Sequence, residues 1–166
     1  MKGLLCAIII MLNFSCMQNA VNMSEAESQS IIREVKGISD KIIKYSEEAN
    51  VDSLLSFYNN SSRFLSISSD GKMRNYDEFK KLCTEYYSGL DRQKVSTISE
   101  KFNVIDANTV IVVWEGNITA HFKNGDTWKM NNYTVTIVIR KMGGVWKIIH
   151  NHESALPPET ARIEIP

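Results

Sequence analysis

The sequence predicts a single α+β domain in which helices come first and an antiparallel sheet follows. Apolar residues recur at three- and four-residue intervals from Ile31 to Tyr45 and again from Tyr76 to Leu90, the spacing of amphipathic helices. From Lys94 onward the period falls to two, and Val, Ile, Thr, Trp and Tyr dominate, as strands require. Three turn-like stretches, Asp106-Ala107-Asn108, Lys123-Asn124-Gly125-Asp126 and Met142-Gly143-Gly144, divide that second half into four runs.

The first residues belong to none of this. Met1-Lys2 supplies a small positive charge, and Leu4 to Leu12 is continuously apolar, far short of the roughly 20 residues of a membrane-spanning helix. The run reads as the apolar stretch of a secretory signal covering residues 1–15. Ser15-Cys16 follows closely, and a small residue directly before a Cys at this place resembles the lipobox of bacterial lipoproteins. That resemblance implies acylation of the Cys16 thiol and a location in the cell envelope, on the periplasmic or surface side, with the membrane reached by lipid alone. Simple secretion, a retained anchor and an ordinary buried Cys are the alternatives. Cys6 would leave with the signal and Cys83 would stand alone in the domain, so no intrachain disulfide is expected there. Residues 16–28, rich in Asn, Ser, Glu and Gln, read as a tether, residues 29–156 as the domain and residues 157–166 as a tail.

Ile31, Val35, Ile38, Ile42 and Tyr45 define the stripe of the first helix, and Ser24 with Glu27 can form a capping box that starts it earlier. Asn50 ends it. Asp52 is expected to cap a second, shorter helix carrying Leu54, Leu55, Phe57 and Tyr58. Arg63 to Ser68 has strand alternation and Asp70-Gly71 follows as a turn. The third helix, Tyr76 to Leu90, turns Tyr76, Phe79, Cys83, Tyr86 and Leu90 inward, making Cys83 a packed thiol rather than a reactive one. Strands at Lys94–Ile105, Thr109–His121, Thr127–Lys141 and Val145–Glu153 form a meander, with Arg63–Ser68 adding at an edge. Val110–Trp114 and Val135–Ile139 are apolar at both parities. Such strands call for cover on both faces, and a homodimer through the sheet would supply it.

Nineteen basic and nineteen acidic residues balance, so no global field draws nucleic acid or an anionic membrane to the chain. No P-loop, nucleophile elbow or dinucleotide fingerprint occurs, and no cofactor is expected.

The order helix, helix, short strand, Asp-Gly, helix and meander, closing in Trp146-Lys147-Ile148-Ile149-His150-Asn151-His152-Glu153-Ser154, resembles the SnoaL-like branch of the nuclear-transport-factor-2-like superfamily over about residues 31–155. The resemblance implies a cone-shaped roll, NTF2-like or cystatin-like, in which a strongly curved antiparallel sheet wraps about three helices and leaves a pocket. It does not imply one chemistry, because that cone hosts isomerases, dehydratases, cyclases, binders and oligomerisation modules. Relatives resembling ketosteroid isomerase set a carboxylate base opposite a tyrosine and a protonated acid. The sequence offers no match for that set, since Asp70 is explained by its turn and Asp77 by a helix start.

Period-two alternation sends His150 and His152 to the same face as Trp146, Ile148 and Ser154. Either imidazole can serve as acid, base or orienting donor near neutral pH, or simply hydrogen-bond at a strand end. A metal site is not expected, because two His at this spacing lack a third ligand and His121 ends a different strand. Tyr58, Trp114 and Tyr133 are large side chains with polar tips, suited to line a pocket or to fill a core. Glu115 faces away from Trp114. Three functions fit: binding a small, partly apolar molecule through Tyr58, Trp114, Tyr133, His150 and His152; isomerase or dehydratase chemistry with His150 or His152 as base and Tyr58 or Tyr133 as donor; or a homodimerising interaction module.

Overall fold

A computed structural model describes residues 23–162; the signal, Cys16 and most of the tether lie outside them. Helix α1 spans Glu25–Glu47. The Ser24–Glu27 capping box forms in full, each side chain accepting from the other residue's amide, and starts the helix ahead of Ser30. Its stripe of Ile31, Val35, Ile38, Ile42 and Tyr45 packs on the core, and Val35 is fully buried. Ala49, at φ 51°, turns the chain after the helix. Asn50, rather than Asp52, caps α2 (Val51–Leu55), its side-chain oxygen accepting from the Ser53 amide at 3.2 Å. Asp52 lies instead in the first turn, where its charge meets the helix's unpaired amides. One turn later α2 stops, so Phe57 and Tyr58 leave it. Ile148 donates to the Phe57 carbonyl and Asn59 donates to the Ile148 carbonyl, both at 2.8 Å, which lays this stretch along the last long strand.

Strands β1 (Leu65–Ile67) and β2 (Met73–Arg74) pair around Asp70-Gly71. Gly71 sits at φ 75°, and Asp70 Oδ1 accepts from the Lys72 amide at 3.0 Å. Helix α3 spans Tyr76–Gly89 behind a second capping box, Asn75 with Glu78; Asp77 lies in its first turn, not at the cap. Strand β3 (Leu90–Asp106) begins at once at Leu90 and leads into β4 (Thr109–Phe122), β5 (Asp126–Met142) and β6 (Val145–Ser154).

These four make the antiparallel meander, and β1 joins it parallel to β6. The resulting order, β2-β1-β6-β5-β4-β3, leaves β2 rather than β1 at the edge. Residues 159–162 add a short strand, β7 (Glu159–Arg162), antiparallel to the Asp126 end of β5. The whole is an α+β fold in which a curved, open sheet wraps the helices.

Two breaks in pairing, one in β5 and one in β6, decide what those strands turn inward. Gly116 and Ile118 of β4 pair with Tyr133 and Met130 of β5, so Asn117 stands opposite two residues, Asn131 and Asn132, and Asn132 takes φ 52°. Val138 and Ile139 of β5 pair with His150 and Ile148, leaving Ile149 as an extra residue in β6. Each such bulge bends its strand and reverses the side-chain alternation beyond it. Val110, Val112, Trp114, Ile137, Ile139, Trp146 and Ile148 face the helices and are buried. Ile111, Val113 and Val138 point the other way and are partly buried. Among the described residues no helix is long and apolar enough to cross a membrane.

Gly116 lies under the folded-back ring of Trp114, and a Cβ there would overlap that ring and come within 2.5 Å of the Ser96 carbonyl oxygen. Gly116→Ala is therefore expected to cost roughly 1–3 kcal/mol through overpacking. Chemical denaturation checks this, and an unchanged midpoint would mean that the Trp114 ring moves aside freely.

Candidate functional site

Space opens where the inward side of α1 carries short side chains. Its C-terminal half presents Ser39 and Ser46 beside Ile42 and Ile43, and a cavity of about 180 Å³ lies between them and the sheet. A second lobe of about 300 Å³ adjoins it toward the β1–β2 hairpin. Phe79, Cys83, Tyr87, Tyr133 and Glu153 line both lobes.

Tyr58, Trp114 and Tyr133, three of the residues expected at a pocket, meet here. Tyr58 is delivered by the pairing of residues 57–59 with Ile148, and its ring lies 4.8 Å from that of Phe79. Trp114 is almost fully buried and donates its Nε1–H to Thr97 Oγ1 at 3.0 Å. It therefore offers the cavity a ring face and no free donor. Tyr133 is aimed inward by the Asn132 bulge, and its phenol stands near enough to the Glu153 carboxyl to favour the ionised form.

His150 and His152 line neither lobe. The extra residue at Ile149 reverses the alternation of β6: Trp146 and Ile148 face in before it, and Asn151 and Glu153 face in after it. The expected grouping of both histidines with Trp146 and Ile148 is thereby corrected. His150 pairs instead with outward-facing Val138. His121 bonds Thr127 Oγ1 at the end of β4, and Glu115 accepts from Ser99 on the face away from Trp114.

Glu153 is the carboxyl of the site. It accepts weakly from the Ser69 amide at 3.4 Å and from Asn151 Nδ2 at 3.5 Å, and the Tyr133 phenol stands nearby. Burial is the largest influence and holds its pKa above the ordinary 4.5 in spite of these donors and the more distant Arg74 charge. Burial likewise raises Tyr58 and Tyr133 well above the usual phenol range and pushes Tyr87 and Cys83 up to about 12. The phenols and the thiol thus stay protonated at neutral pH, and Cys83 is a packing residue.

Among the described residues, three buried side-chain atoms have no hydrogen-bond partner: Ser66 Oγ and Ser68 Oγ on or just after β1, and Asn151 Oδ1 across from Ser66 on β6. Ser68 lines the second lobe and Asn151 the first. At the second lobe Arg74 grips Asp70 through two bonds, 2.9 and 2.6 Å, which hold the Asp70 carboxyl well below the usual range. Asp70 thus both shapes the turn and fixes an arginine. Chemically, the site offers one protonatable carboxyl, phenol donors, unsatisfied acceptors and aromatic faces.

The SnoaL-like domain family matches residues 35–158. This chain belongs to that family. No curated protein matches the sequence. Solved structures of the SnoaL-like domain's fold are similar over most of their length at low identity. A candidate scytalone dehydratase from Novosphingobium aromaticivorans superposes with a TM-score of 0.70 at 7% identity, covering 86% of this chain and 94% of its own. A nuclear-transport-factor-2-like superfamily protein from Salmonella enterica gives 0.68 at 16%, covering 77% and 92%. A hexachlorocyclohexane dehydrochlorinase of LinA type 3 from Novosphingobium barchaimii gives 0.68 at 9%, covering 86% and 100%. At such identities the likeness is one of fold.

Because Glu153 has a raised pKa in the folded SnoaL-like domain, the folded state holds more protons than the unfolded chain between the unfolded value and the shifted one, and stability falls as pH rises through that window. Glu153→Gln removes the charge that burial disfavours. The variant is expected to melt above the parent at pH 8, with the gap closing toward pH 4. A melting series across pH reads this directly, and a variant that melts below the parent at pH 8 would show that the carboxylate is well satisfied.

Proposed function

We propose that this SnoaL-like domain is the soluble part of a lipid-anchored envelope protein and that its two-lobed cavity binds a small, partly apolar molecule. One observation carries the binding reading. Buried polar atoms without partners are rare because each costs about 1–3 kcal/mol, and here two of them, Ser68 Oγ and Asn151 Oδ1, belong to residues that line the aromatic cavity. A ligand with its own polar group would satisfy them while its apolar body meets Tyr58, Phe79 and Trp114. The anchor rests on the apolar run of residues 4–12 and on Ser15-Cys16.

A second reading, proton-transfer chemistry of the isomerase or dehydratase kind, is favoured by the meeting of Glu153, Tyr133 and Tyr58 in one lobe. In it Glu153 takes the role of base that the sequence offered to His150 or His152. The dehydratase and dehydrochlorinase names of similar folds agree with this reading.

Titration of the purified protein with the neutral fluorophore N-phenyl-1-naphthylamine tests the cavity. Bound, enhanced fluorescence is expected, unchanged in His152→Ala and weakened at least about tenfold in Val135→Trp, which fills the first lobe. Equal binding by the parent and Val135→Trp would place the dye elsewhere. For the anchor, Cys16→Ser is expected to abolish fatty-acid labelling and move the protein out of the membrane fraction. Retained label would rule out the Cys16 thioether.

A further inference from the structure

The walls of the cavity differ in what they leave over for a ligand. Its charged residues are Asp70, Arg74 and Glu153. Arg74 is taken by its two bonds to Asp70, so that pair contributes no net charge. Glu153 reaches Arg74 only at a distance and has no ion pair of its own among the described residues. Once ionised, it leaves the cavity with one negative charge.

The unpartnered atoms point the same way. Asn151, which lines the first lobe, is 1% exposed and gives its Nδ2 to Glu153, so its unpartnered oxygen can only accept. Ser68 is 5% exposed with a hydroxyl free to accept as well. Around these acceptors stand the rings of Tyr58, Phe79, Tyr87, Trp114 and Tyr133. Ring faces attract cations and repel anions, and Trp114 has already spent its N–H on Thr97.

We propose that the cavity selects a small organic primary ammonium with an aromatic or aliphatic body, its N–H donors meeting Glu153, Asn151 Oδ1 and Ser68 Oγ and its charge facing the tyrosine rings. This rests on the small-molecule reading above and names the class of ligand. An ammonium requires the ionised carboxylate, whereas a neutral alcohol is served equally well by the protonated acid. Cation binding is therefore proton-linked, strengthening as pH rises through the raised pKa of Glu153.

The groups facing that carboxyl are Tyr133 of β5, Tyr58 after α2, Cys83 and Tyr87 of α3, and Asp70 and Arg74 of the β1–β2 hairpin. The phenols and thiol stay neutral and the Asp70–Arg74 pair stays ionised between pH 5 and 8, so any change of charge among these groups falls to Glu153, whose burial favours the protonated form. His150 and His152 share its strand but face away, and His152→Ala controls for them.

Calorimetric titration of the full chain with 2-phenylethylammonium and with 2-phenylethanol decides the matter. At pH 8 the ammonium is expected to bind roughly tenfold or more tightly than the alcohol. The preference should shrink at pH 5, persist in His152→Ala and vanish in Glu153→Gln, which still binds the alcohol. Melting curves confirm that this isosteric variant is folded. Alcohol binding that equals or exceeds ammonium binding at pH 8, or a preference that survives Glu153→Gln, overturns the ammonium assignment and leaves the small-molecule reading standing. Absence of binding by both probes overturns both.

Discussion

The contact between the apolar stripe of α1 and the inner face of the sheet is the constraint from which the other features follow. At the N-terminal half of the helix, Ile31 and Val35 join the core with Ile139, Trp146 and Ile148. Glu34 fastens this end by accepting from Trp146 Nε1 at 2.8 Å and from Lys141 Nζ at 2.9 Å. Large apolar residues buried this fully are each worth about 2–5 kcal/mol against alanine, so this half sets the position of the helix. The other half repeats the stripe with Ser39 and Ser46 among the isoleucines. A rigid helix cannot bend to close the gap that short side chains leave. The cavity is thus the remainder of one packing arrangement.

Polar residues around that gap are held by bonds at its margins. Ser46 accepts from Tyr87 at 2.9 Å and from Gln93 Nε2 at 2.6 Å, joining α1, α3 and β3. Ser39 bonds Glu100, which also pairs with Lys36 at 3.3 Å. These ties fix the walls while leaving Asn151 Oδ1 and Ser68 Oγ unsatisfied. The domain gives up stability at those two atoms and at the Glu153 carboxyl, a distribution that belongs to a site rather than to a core.

Much of the architecture was legible because it depends on repeating patterns. The α1 stripe, the third helix and the four-strand meander follow from period alone. What escaped the sequence rests on single residues. Asn50 and Asp52 are both good caps, and the chain uses Asn50, directly after the left-handed turn at Ala49. Strands β2 and β7 are too short for an alternation to register. Of the site, Tyr58, Trp114 and Tyr133 were found as residues with a large face and a polar tip, whereas Asn151 and Glu153 were passed over for the histidines between and before them. One signal was present. Ile148 and Ile149 are adjacent apolar residues in the middle of the strand, a break in alternation that a residue too many would leave.

That extra residue makes β6 a selector. Upstream of Ile149 the strand shows the interior Trp146 and Ile148; downstream it shows Asn151 and Glu153 and withholds His150 and His152. Loss of one residue before Asn151 would exchange an amide and a carboxyl for two imidazoles without substituting a side chain. A family built on this strand can therefore change its interior chemistry by insertion and deletion. Aligned columns in this strand pair residues by position in the chain, and the relatives that share a column need not share a face.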